Sequence, residues 1–327
     1  MQIAVAGSIA TDHLMTFQGS FSDSLVVEQL DKISVSFLAE SLEIRRGGIA
    51  GNICFGMAVL GARPILVGAA GEDFADYRSW LSRHGVVTDH VHISGTQHTA
   101  RFVCTTDADM AQIATFYAGA MSEARMIELG PIHEQWDLDL VLIGADDPEA
   151  MLRHTEECRS RGIPFVADPS QQLAFADGPF IRRLIEGADY LVTNEYESHL
   201  TETKTGWSQA EIDARVTTRV ITRGKDGADI RTRGEEPIHV PVAGEVDRVD
   251  PTGVGDAFRA GFLVGLQGGL GHERAAQIGS VLATYVLETV GTQEYVVTRR
   301  TFLDRVAAAY GDEAADEIAP HVRCARD

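Results

Sequence analysis

From residue 250 the chain reads Asp-Pro-Thr-Gly-Val-Gly-Asp-Ala-Phe and runs directly into Arg-Ala-Gly-Phe-Leu-Val-Gly-Leu, ending at 266. Apolar residues at 258, 262, 263 and 266 recur at helical spacing, so a helix is expected to start near Gly255, with the glycine-rich turn as its N-terminal lip. Unpaired backbone N–H groups and the positive end of the helix dipole make such a lip an anion site. Gly253 and Gly255 would let a phosphate approach the backbone closely. Asp256 is out of place beside a bound phosphoryl group unless it has a task there. The fitting task is to take the proton of a hydroxyl as that hydroxyl attacks phosphorus, which makes phosphoryl transfer the first chemistry the sequence suggests.

The elements that must position this turn are legible as alternating strands and helices. Ile3 to Ile9 reads as a buried strand ending in Ser8, Thr11, Asp12 and His13, and polar residues just past a strand's C-terminal end either line a ligand crevice or form a solvated loop. Residues 31–46 alternate apolar and polar and predict a half-exposed strand pair. Gly47-Gly48-Ile49-Ala50-Gly51-Asn52 then opens a helix over 53–60, where the glycines permit close approach and Asn52 offers both a donor and an acceptor. Residues 64–69 predict a strand, 77–84 a helix, and 101–117 a hairpin turning at Asp107-Ala108-Asp109, which is expected to join the 31–46 strands in a small β-sheet lid. Phe102 and Phe116 on that hairpin either face a bound ring or pack the lid on the body or on a partner.

From residue 138 the pattern is regular. Apolar runs at 138–144, 163–167, 190–193 and 219–222 are separated by helical stretches at 148–161, 179–186, 195–203 and 208–216, which predicts a parallel sheet covered on both faces. Polar residues follow the strands: Asp146 and Asp147; Asp168, Ser170, Gln171 and Gln172; Asn194 and Glu197; Thr222, Arg223 and Gly224. Such a row is the rim of a cleft. Asp226-Gly227 marks a hairpin turn, helices are expected over 273–289 and 299–310, and 319–327 looks like a frayed tail.

Composition bounds the partners. The 327 residues are 44% hydrophobic and 23% charged, which supports a sizeable core in one large α/β domain with insertions or in two domains. With 28 basic against 48 acidic residues the net charge is −20, which argues against nucleic acid or an anionic membrane as a partner and leaves small anionic substrates that meet positive potential locally. Four scattered cysteines, Cys54, Cys104, Cys158 and Cys324, read as reduced thiols, and a first segment too short for a signal peptide leads to the expectation of a cytoplasmic protein.

Three segments together resemble the ribokinase-like, or PfkB, family of carbohydrate and nucleoside kinases over nearly the whole chain. Gly47-Gly48-x-x-x-Asn52 is similar to its N-terminal signature, Asp250-x-Thr252-Gly253-x-Gly255-Asp256 to its C-terminal one, and Asn194-x-x-Glu197 to its metal-linked motif. The resemblance implies a Rossmann-like three-layer α/β core (1–12, 47–96 and 120–327) carrying a β-sheet lid (13–46 and 97–119). It implies ATP and Mg²⁺ as cofactors, with K⁺ a further candidate ion, and transfer of the γ-phosphoryl to a hydroxymethyl group. Asp256 takes the place of the base, and the backbone of Gly253, Val254 and Gly255 that of the anion hole. Glu197 and Asn194 would hold the metal through water, and Thr222, Gly224 and Gly227 would form the nucleotide-binding turn, with Arg223 and Lys225 adding local positive charge or standing as solvated surface residues.

Within the family, Gly7 to His13, Arg101-Phe102, Thr115-Phe116-Tyr117 and Asp168 to Gln172 look most like the actinobacterial type of adenosine kinase. By that similarity Asp12, Gly48 and Asn52 would bind ribose hydroxyls, Phe102 and Phe116 would sandwich the purine, and Gln171 and Gln172 would meet the base edge. Ser8 would line the site, and Ser36 would reach it across a homodimer made by the lids. The expected reaction is transfer to the 5′-hydroxyl of adenosine in purine salvage. A PfkB-type kinase of ribose, fructose or another nucleoside, and a non-catalytic sensor on the same fold, stand as alternatives. A dinucleotide-binding dehydrogenase is disfavoured because no G-x-G-x-x-G follows the first strand.

Overall fold

The structure is a computed structural model that describes residues 1–24, 35–244 and 247–324. In chain order its strands are β1 (Ile3–Ala6), β2 (Ala10–Thr16), β3 (Ser41–Gly47), β4 (Ile65–Gly71), β5 (Val91–Ser94), β6 (Ala100–Thr106), β7 (Gln112–Tyr117), β8 (Leu140–Ile143), β9 (Phe165–Ala167), β10 (Tyr190–Asn194), β11 (Thr218–Thr222), β12 (Ala228–Thr232) and β13 (Ile238–Val240). Nine form one sheet in the order β13-β12-β11-β10-β9-β8-β1-β4-β5, and four form a second in the order β3-β2-β6-β7. The pairings from β11 across to β5 are all parallel, while β12 and β13 add an antiparallel edge.

Parallel strands need both faces covered, and alternation along β1 shows how this is met. Ile3 and Val5 pack with helices Ile49–Val59, Val254–Gln267 and His272–Leu287 on one face, while Ala4 and Ala6 pack with Pro148–Arg161 and Gly178–Ile185 on the other. This is the three-layer α/β architecture that the sequence implies. β1 lies between β4 and β8, so the chain leaves it in both directions and its C-terminal end is a topological switch point, where a crevice opens. Ser8 and Asp146 sit at that crevice, with the Ser8 N–H donating to Ala145 O at 3.1 Å.

The second sheet is the expected lid, with two differences. Thr11, Asp12 and His13 lie on a lid strand rather than in a loop past β1, because Ala10–Thr16 pairs with both β3 and β6. Of the strand pair expected over 31–46 only Ser41–Gly47 is a strand; 35–40 is irregular and 31–34 lies outside the described residues. The C-terminal segment is not frayed through 324: Val322 is buried, the Arg323 N–H donates to Leu60 O at 2.9 Å, and the Arg299 guanidinium donates to Ala319 O. No helix of the described residues is long and apolar enough to cross a membrane.

One close approach sets the geometry of the crevice. Helices Ile49–Val59 and Val254–Gln267 cross so closely that a Cβ on Gly56 would stand 2.7 Å from the Ala260 Cβ. Asn52 and Asp256 each lie four residues earlier on these helices, one turn toward the N-termini, so the same crossing brings them face to face.

Candidate active site

Asp256 stands in the first turn of Val254–Gln267, whose N-cap Gly253 has φ 78° and no side-chain cap. The Val254 N–H makes a long 3.4 Å bond to Pro251 O, and the Gly255 and Asp256 N–H groups, which precede the first intrahelical bond from Ala257, are left for an anion. The Asn52 Nδ2 donates to Asp256 Oδ2 at 2.8 Å. Burial raises the Asp256 carboxyl to about 7, against the pull of Arg259 and of the Asn52 hydrogen bond. An isolated aspartate titrates near about 3.9, so the folded environment brings this carboxyl into the range in which proton transfer at neutral pH is possible.

The turn before the helix is held as well. Asp250 Oδ1 accepts from the Thr252 N–H at 2.9 Å and Oδ2 from the Gly291 N–H at 3.0 Å, which ties residues 250–253 to the 288–294 loop. The Arg45 guanidinium of β3 lies 4.0 Å from Asp250 and lowers the pKa of neighbouring Asp12. Burial outweighs that pull, and the Asp12 carboxyl is raised to about 6.

Behind the turn lies a charge cluster whose key member the sequence did not single out. The buried Arg259 donates through Nη2 to Asp168 Oδ1 at 2.6 Å and lies 3.9 Å from Glu197 Oε2. In the sequence Asp168 stands as one polar residue of the cleft rim and Arg259 as part of the helix that follows Asp256. The available signal was a charged residue inside the run Ala257–Gly265, every member of which is buried. Burial raises the carboxyls of Asp168 and Glu197, and Arg259 offsets both.

The other expected site residues fall into place unevenly. Ser8 is buried and its Oγ accepts from the Ile49 N–H at 3.1 Å, while Gly48 caps the same helix with φ 87°. On the lid, Arg45, Asp12, Phe102 and Phe116 pair in register across β3, β2, β6 and β7, so their side chains share one face. Phe102 and Phe116 are direct cross-strand partners, so they stand side by side as an aromatic platform rather than as two facing walls. Gln172 is turned toward the crevice by donating to Asp146 O at 2.8 Å, whereas Gln171 is exposed and accepts from the Ser170 hydroxyl. Ser36 is exposed in the irregular segment, and among the described residues no hydrogen bond ties it to the site.

Asn194 and Glu197 form a capping box on helix Glu195–Thr205: Asn194 Oδ1 accepts from the Glu197 N–H and Glu197 Oε2 from the Asn194 N–H. Asn194 pairs in register with Thr222, which brings the metal-linked motif beside the expected nucleotide turn. In that turn Gly224 and Gly227 both have positive φ, and Arg223 is engaged by Glu195 and Asp229 rather than free to meet phosphate. Among the described residues no group of three or more His, Cys, Asp or Glu side chains is placed to hold a metal ion. Glu197 Oε1, outside the capping bonds, fits a hydrated Mg²⁺ that keeps most of its waters and takes its other ligands from phosphate.

Residues 12–299 match the family described as pfkB family carbohydrate kinase. The chain belongs to this family. A nucleoside kinase of Burkholderia thailandensis, solved in complex with inosine, is 35% identical with a TM-score of 0.83, covering 94% of this chain and 99% of that one. The same protein has been solved with ADP-inosine. A nucleoside kinase of Methanocaldococcus jannaschii is 28% identical over 86% of this chain and 91% of its own length. A ribokinase of Bacillus subtilis is 27% identical over 86% of this chain and 95% of its own. The protein is thus an ATP-dependent kinase of the nucleoside and sugar type, and its pfkB signatures sit at the crevice described above.

Proposed function

We propose that the protein transfers the γ-phosphoryl group of ATP to the 5′-hydroxyl of a purine nucleoside, adenosine being the expected acceptor and inosine its nearest competitor. The observation that supports this reading is the lid row of Asp12, Phe102 and Phe116, in register with the Arg45 that lies 4.0 Å from Asp250 of the Asp256 turn, which would join a carboxylate for ribose hydroxyls to an aromatic platform for a base. A bare sugar leaves that platform empty. Similarity to a nucleoside kinase solved with inosine extends the acceptors beyond adenine, because stacking does not choose among purines.

In the transfer Asp256 accepts the 5′-hydroxyl proton as the oxygen forms its bond to Pγ and the bond from Pγ to the bridging oxygen of ADP breaks. The N–H groups of 253–255 face the equatorial oxygens, and Asn52 holds the carboxylate in line. Asp12, Gly48 and Ser8 position the ribose, and Gln171 and Gln172 meet the base edge. Thr222, Gly224 and Gly227 receive the nucleotide. Glu197, with Asn194, would hold Mg²⁺ through water, and that ion would neutralise charge on the phosphates. The lid excludes water while the transfer occurs.

An acceptor panel with ATP and Mg²⁺ tests this. Adenosine and inosine should exceed ribose and fructose in kcat/KM by at least about tenfold, the worth of one stacked base. Preference for ribose or fructose would refute the nucleoside reading. In Phe102→Ala the nucleoside KM should rise about tenfold while the ATP KM moves less than about twofold; equal changes in both would place Phe102 outside the acceptor site.

The opposite face of the lid suits a second copy of this chain. There the rows Leu42–Met15–Thr105–Ile113 and Ile44–His13–Val103–Thr115 run across β3, β2, β6 and β7, with Leu42, Ile44 and Ile113 exposed on the outer strands. Exposed apolar side chains on both outer strands of one sheet form a surface that two-fold pairing would bury. Sedimentation at micromolar concentration should give a dimer that Ile44→Asp converts to a monomer; a wild-type monomer refutes the pairing.

A further inference from the structure

Asn52 is gripped from behind. Its Oδ1 accepts from the Gln293 Nε2 at 3.0 Å and lies 2.9 Å from the Thr292 hydroxyl, whose one proton is shared with Arg46 O at 2.9 Å, while its Nδ2 faces Asp256. Gln293 Nε2 also donates to the Tyr77 hydroxyl oxygen at 2.5 Å, and the Tyr77 hydroxyl donates to Gly47 O at 3.0 Å, at the end of lid strand β3. The sense of every bond follows from the ends of this chain. A carbonyl oxygen only accepts, so Tyr77 gives its one proton to Gly47 and can only accept from Gln293, which must present nitrogen. That nitrogen meets the oxygen of Asn52, and Asn52 must then turn its own nitrogen to Asp256. Reversing the Gln293 amide would set two oxygens against each other at Asn52.

This arrangement has a cost that stability alone does not explain. Gln293 is 1% exposed, and its Oε1 is buried with no hydrogen-bond partner. An apolar side chain of the same shape would avoid the orphaned acceptor. We propose that Gln293 and Tyr77 are positioning residues for phosphoryl transfer: they fix the amide sense of Asn52, and through it they place the Asp256 carboxylate relative to the acceptor hydroxyl and to the end of lid strand β3. The proposal rests on the reading of Asp256 as the base.

The test uses Gln293→Met and Tyr77→Phe in the full chain. Each should lower kcat about tenfold or more, the worth of one hydrogen bond that orients a charged group. The ATP KM should stay within about twofold, and Gln293→Met should melt close to wild type because removal of the orphaned oxygen offsets the loss of the two Nε2 hydrogen bonds. In an Asn52→Ala background, Gln293→Met should have no further effect on kcat. A merely structural role gives the opposite pattern: a lower melting temperature, intact kcat in the folded fraction, and effects that add to those of Asn52→Ala. Normal kcat in both single variants, or additivity in the double variant, overturns the proposal; if Gln293→Met does not fold, Tyr77→Phe alone and over Asn52→Ala decides. Asp256→Asn measured alongside separates the two readings. If it retains turnover the base assignment fails, whereas an inactive Asp256→Asn with unaffected Gln293→Met and Tyr77→Phe refutes only the positioning role.

Discussion

Asp256→Asn should lose about 10² to 10⁴ in kcat, the usual worth of a positioned general base, while becoming more stable than wild type at pH 8. Both halves come from one fact, a carboxyl that burial raises from 3.8 to about 7. Below pH 4 the folded and unfolded states both carry the proton, and nothing is lost. As pH rises from about 4 to about 7 the unfolded chain ionises before the folded one, so wild type loses stability progressively; above pH 7 the whole penalty is present. Asparagine carries no such charge, so the advantage of the variant in thermal melts should be absent at pH 4 and largest at pH 8. The same titration sets the wild-type activity profile: kcat/KM should climb as Asp256 ionises through about pH 7. Near-normal turnover in a folded Asp256→Asn, or a wild-type profile flat from pH 6 to 8, would remove Asp256 from the base role.

Much of the architecture was legible because it is written locally. Short apolar runs separated by amphipathic stretches could only be a parallel sheet with helices on both faces, and the Gly253 turn announced its helix through the spacing of Phe258, Phe262 and Leu263. What could not be read depends on residues meeting across long stretches of chain. Gln293 and Tyr77 are 216 positions apart and Gln293 and Asn52 are 241 apart, and none of the three has a neighbour in sequence that hints at the others. The same holds for the raised pKa of Asp256, since burial belongs to the fold and not to the motif. Strand β2 was missed for a different reason. Ala10–Thr16 is half-buried along most of its length and polar at Thr11, Asp12 and His13, so it lacks the apolar periodicity by which strands are recognised.

The largest stability effect should come from Arg259, and its pH dependence distinguishes an ion pair from mere packing. Arg259→Met leaves Asp168, which is 0% exposed, without the guanidinium that accompanies it in the core. Breaking a buried pair from one side costs about 3–5 kcal/mol, because the remaining charge is neither solvated nor matched. For a chain of this size that lowers the melting temperature by roughly 10 °C. Burial already holds the Asp168 carboxyl above its ordinary range with Arg259 present, so without Arg259 the acid will take up a proton on folding. A carboxyl whose folded pKa is raised contributes full stability below its unfolded pKa of about 3.9 and loses it as pH rises. The deficit of Arg259→Met should therefore be smaller at pH 5 than at pH 8, and Asp168→Leu combined with Arg259→Met should recover part of it by removing the stranded acid. Equal losses at both pH values, or a double variant worse than the sum of its parts, would mean that Arg259 acts through its packing rather than its charge. Because Arg259 also faces Glu197 and offsets the burial of Asp256, the loss of charge should reach the chemistry as well, leaving the base harder to ionise at neutral pH. One arginine thus ties the stability of the core to the protonation of the carboxylate at the crevice.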